Sequence, residues 1–60
     1  MSSTITTIIK DSIRAMEKSL KNYEEMLNKA SSPLVRDMIA NMISDTRNHI
    51  ELMRSHITTN

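Results

Sequence analysis

The chain has 60 residues, with no glycine, no cysteine, one proline and one aromatic side chain, and its 8 basic and 7 acidic groups leave a formal charge of +1. Without cysteine it has no disulfide, and without glycine it has neither a phosphate-cradling loop nor the tight turns of a strand-rich protein. The near-neutral balance does not point to nucleic acid, whose binders carry a basic excess, and no apolar run approaches the ~20 residues of a membrane-spanning helix.

Residues 1–6 are rich in Ser, Thr and β-branched side chains and are expected to fray. Met1-Ser2-Ser3-Thr4 has neither a basic start nor an unbroken apolar core, so it does not read as a secretory signal, and a cytoplasmic location is expected. Thr4 or Thr7 can cap a first helix, which the pattern places over about 7–30. Its apolar positions Ile9, Ile13, Met16, Leu20, Tyr23, Leu27 and Ala30 alternate steps of four and three, a heptad seam. Lys10, Arg14, Lys18, Lys21, Glu24 and Lys29 occupy the other faces, and Glu17–Lys21 and Glu25–Lys29 are i,i+4 pairs in the favourable order.

The break falls at Ser31-Ser32-Pro33. Proline disfavours helical geometry in the residue before it and lacks its own N–H, which suits Ser32 as N-cap and Pro33 as the first residue of a second helix. That helix is expected over 33–57, with 58–60 fraying. Its seam reads Val35, Ile39, Met42, Thr46, His49, Met53 and His56, widened by Ile43, Ile50 and Ile57 on one side and Met38 on the other. Folding the chain at the turn sets Leu27 opposite Val35, Tyr23 opposite Ile39, Met16 opposite Thr46 and Ile9 opposite Met53.

These elements make one domain over 1–60 of the all-α class, an antiparallel helical hairpin, since so short a connection leaves the helices antiparallel. A stripe this wide suits a four-helix bundle. A chain this small, lacking disulfides, has to find its remaining core by association. The expected partner is a second copy, or else another helical protein. The sequence leaves open how two hairpins are oriented and whether the assembly grows beyond a dimer.

Thr46 and His49 interrupt the apolar pattern on one face. An imidazole buried there needs a hydrogen-bond partner, such as Tyr23, Thr46 or a group on the partner, or else a metal. His49, Met53 and His56 share a stripe that a softer metal such as copper could use. Asp45 stands four residues before His49, and Glu17 lies on the facing helix, so His49, Asp45 and Glu17 form the candidate ligand set for a transition metal. Plain packing accounts for the methionines, and no cofactor is required. No nucleophile–base pair with a glycine-bearing elbow is present, so an enzymatic role has no motif to carry it.

The stretch from Ala15 to Met53 resembles the helical hairpin of the ferritin-like superfamily, in particular rubrerythrins and the short encapsulated ferritins. The resemblance lies in Tyr23, in Ala30-Ser31-Ser32-Pro33-Leu34-Val35-Arg36 at the turn, and in Ile43-Ser44-Asp45-Thr46-Arg47-Asn48-His49-Ile50. It covers roughly two-thirds of the chain. In that family one helix supplies a Glu and the next an E-x-x-H, and two hairpins assemble a di-iron site. The family Glu, two turns before the Tyr, corresponds to Met16, and the E-x-x-H to Thr46-Arg47-Asn48-His49. The histidine is retained and both carboxylates are absent. Glu17 does not replace the lost Glu, because one helical position is a rotation of ~100°. The resemblance implies a bundle kept without its di-iron centre. The expected function is a non-enzymatic, homo-oligomeric structural or interaction module; the alternative is a ferritin-like metal-binding protein with a degenerate site around His49.

Overall fold

Heptad spacing and the absence of glycine carry each half of the chain as one continuous helix. The structure, a computed structural model, describes residues 2–58. Helix α1 spans Ser2–Lys29 and helix α2 spans Pro33–Thr58. The expected fraying at 59–60 lies outside the described residues. Helix α1 starts at Ser2 and not near residue 7, so Thr4 and Thr7 lie inside it and neither is its N-cap. β-Branched residues cost only a few tenths of a kcal/mol each in a helix, and Ile5 and Ile8 continue the helical spacing of Ser12, Ala15, Ser19, Asn22 and Met26.

The turn closes without a left-handed residue, because no described residue has a positive φ. The Ala30 N–H donates to the Met26 carbonyl at 2.9 Å and ends α1. The Arg36 N–H donates to the Ser32 carbonyl at 2.9 Å, which makes Ser32 the N-cap and Pro33 the first residue of α2. Many helices finish on a glycine that brings backbone N–H groups back to the last carbonyls. Here the Arg36 side chain does that work: its Nη1 donates to the Leu27 carbonyl at 2.7 Å and to the Ala30 carbonyl at 3.0 Å. A cation at the end of α1 also suits the helix dipole. Replacing Arg36 by Met, which keeps most of the stem, is expected to cost about 1–2 kcal/mol in urea unfolding. A loss within about 0.3 kcal/mol would mean that water serves those carbonyls equally well.

The core is narrow and consists of isoleucine: Ile13 on α1, and Ile39, Ile43 and Ile50 on α2, are the buried apolar residues. On α1 the expected seam faces inward, with Ile9, Met16, Leu20, Tyr23, Leu27 and Ala30 half-buried beside Ile13. On α2 the inward row is rotated from the expected one. It reads Ile39, Ile43, Thr46, Ile50, Met53 and Ile57, while Val35, Met42, His49 and His56 are exposed. The row expected as a flank is therefore the core row, and Val35, expected opposite Leu27, is exposed. Both candidate rows share Ile39, Thr46 and Met53, so heptad spacing alone does not choose between them. Arg36, exposed and one turn before Ile39, reaches across the turn.

One step along a helix turns a side chain by about 100°. In an antiparallel pair that turn is mirrored. Residues just after the seam on both helices therefore share one broad face of the hairpin, and residues just before it share the other. The hairpin measures 47 × 16 × 11 Å over its Cα atoms, which is one helix thick. A domain ordinarily needs at least two packed layers to enclose a core, and this chain supplies one.

Candidate functional site

The two broad faces differ in chemistry. The face after the seam carries Glu17 and Glu24 from α1 and Arg47 and Arg54 from α2. Arg54 Nη2 meets Glu17 Oε2 at 2.5 Å, and Arg47 Nη2 meets Glu24 Oε2 at 3.0 Å. Both pairs span the helices in one register, each carboxylate seven residues from the next and each guanidinium likewise. All four side chains are roughly half exposed, so water screens the attraction. A double-mutant cycle on Glu17 and Arg54 is expected to return a coupling of about 0.2–1 kcal/mol that shrinks in high salt. Zero coupling at low salt would remove this pair from the forces that set the register. The broadest groove on this side is open and shallow, lined by Glu24, Ala40, Ser44, Arg47, Asn48 and Glu51 among others.

The face before the seam is apolar and uncovered. Ile5, Ile8 and Met26 from α1 lie with Val35, Met38, Met42 and Leu52 from α2, and Leu52 keeps 62% of its surface exposed. Among the described residues four apolar side chains are buried and seven large ones are left exposed on this side. Scattered surface apolar residues are ordinary, but here they gather toward the two ends of one face. The middle of the face is narrower and more polar, with Ser12, Ala15, Ser19 and Asn22 on α1 and Asp45 and His49 on α2.

The remaining candidate residues separate across the two faces. Thr46 is half-buried in the seam, and its hydroxyl donates to the Met42 carbonyl at 2.8 Å, so its polar group is satisfied one turn back along its own helix. It is not held for His49, which is exposed on the open face with Asp45. Glu17 sits on the opposite face, bonded to Arg54. Among the described residues of a single chain, no three His, Asp or Glu side chains are grouped to hold a metal ion, and His49, Asp45 and Glu17 are not brought together. Met16, where the ferritin-like family has its Glu, is half-buried in the seam.

No family model, curated protein or solved structure matches this chain. The physical reading of its faces therefore stands on the residues alone. Sequence reasoning missed three side chains that join the two helices: Arg36, Arg47 and Arg54. The seven-residue spacing shared by Glu17–Glu24 and Arg47–Arg54 was a usable signal for the two ion pairs. Nothing comparable announces Arg36, because its partners are backbone carbonyls.

Proposed function

We propose that this chain is a non-enzymatic, homo-oligomeric four-helix-bundle protein acting as a structural or interaction module. The observation that carries the proposal is the surface left uncovered. The hairpin exposes 4858 Å², whereas a folded monomer of 6.9 kDa is expected to expose about 4,000 Å². The excess, about 850 Å², is close to the ~800 Å² that each partner contributes to an interface of standard size. The excess comes with an open apolar face rather than an even spread of polar surface, and a second layer of helices on that face would enclose a common core.

Association and folding are then one process, so the melting temperature should rise with protein concentration. Sedimentation velocity from low to high micromolar concentration should show a species of at least twice the chain mass. A fully helical monomer at every concentration, with a concentration-independent melting temperature, would overturn the proposal.

A further inference from the structure

Resting on that reading, we infer that the second copy covers the open face with its turn at the same end of the bundle, so that α1 of each chain lies on α2 of the other. Two hairpins stacked face to face can be related by two kinds of two-fold axis. An axis along the bundle keeps the turns together and sets α1 on the second copy's α2. An axis across the bundle sends the turns to opposite ends and sets α1 on α1 and α2 on α2. Both give only antiparallel neighbours, so the choice falls to the side chains of the open face.

The two helices present different relief there. The central stripe of α1 is small: Ser12, Ala15 and Ser19. The level stretch of α2 is larger: Asp45, His49 and Leu52. Both stretches lie between the apolar ends of the same face, so the small stretch of α1 and the larger stretch of α2 run side by side. With the turns together, the hollow of α1 receives the larger row of the second copy's α2, and this happens twice by symmetry. With the turns apart, the small row faces its own copy while the larger row faces its own copy. Helix axes pack 8–10 Å apart, and that arrangement under-fills one side of the bundle and over-fills the other, both of which are destabilising.

The sequence has no cysteine, so one introduced thiol carries a spin label without competition. Ser31→Cys lies in the exposed turn, where substitution leaves both seams untouched, and Asn28→Cys, just after the seam residue Leu27 and so away from the open face, is a second exposed position at the same end. In the full-length labelled protein, pulsed dipolar spectroscopy is expected to return label-to-label distances of about 15–30 Å at both positions, from helices one packing distance apart plus the label tethers. Distances above about 40 Å, approaching the 47 Å length of the hairpin, in a protein that sediments as a dimer would overturn the turns-together arrangement while leaving the homo-oligomer intact. A monomer with no dipolar coupling would overturn both.

Discussion

Met38→Glu combined with Leu52→Glu is expected to abolish self-association at micromolar concentration. Both side chains are more than half exposed in the hairpin, so neither change cuts into the core of a single chain. In a face-to-face bundle each carboxylate would be covered without a cation to pair with, and the two-fold repeats the penalty. An uncompensated polar group costs about 1–3 kcal/mol and a charge more, so the dissociation constant should rise at least about a hundredfold. Because the proposed bundle would complete the core of each hairpin, circular dichroism should show helix content falling with association. Lys10→Glu, on the ion-pair face, is the matched control and should leave the sedimentation profile unchanged. An equal loss of association in the control would mean that net charge, not the apolar face, governs assembly.

Ile43→Ala is expected to cost about 2–5 kcal/mol of stability per chain, the range for truncating a buried aliphatic side chain. Ile43 is 7% exposed, against 42% for Val35. The two represent the competing rows of α2, so the contrast between them tests which row faces α1. Val35→Ala removes less volume from a partly exposed position and should cost about 1 kcal/mol or less. Chemical unfolding at one fixed protein concentration gives both values. A larger loss from Val35→Ala than from Ile43→Ala would return the seam to the row that heptad counting first suggests. Ile39 belongs to both rows, so truncating it would cost as much in either case and decide nothing between them.

The hairpin was legible because its signals are local. Ser32 and Pro33 mark the turn through the conformational limits of proline and the capping ability of serine, and the structure has α2 starting there. The α1 seam was legible for a similar reason: Ile13 through Leu27 offer one unbroken apolar row with charged residues along one side and mostly small, uncharged residues along the other. On α2 the stripe is wider than one seam, and local spacing assigned it to the wrong half. The start of α1 was misplaced by weighting β-branching over helical continuity, a balance of a few tenths of a kcal/mol per residue. Within a single chain the candidate ligand set is not brought together, for a geometric reason. Glu17 follows its seam residue and meets Arg54, whereas Asp45 and His49 precede theirs, and that difference puts the groups on opposite faces.

By itself, the sequence determined that this chain forms two helices, where they join, and that its apolar surface exceeds what one seam can cover. Those properties follow from residue type and spacing, which act within a few turns of helix. Only the tertiary structure decided which of two overlapping α2 rows is the core, that Arg36 crosses the turn to finish α1, and that Glu17 and Glu24 meet Arg54 and Arg47 on one face while the apolar residues gather on the other. Each of these depends on how one helix is rotated about its axis relative to its neighbour. A heptad pattern two positions wide leaves that rotation free until the side chains of both helices are in contact.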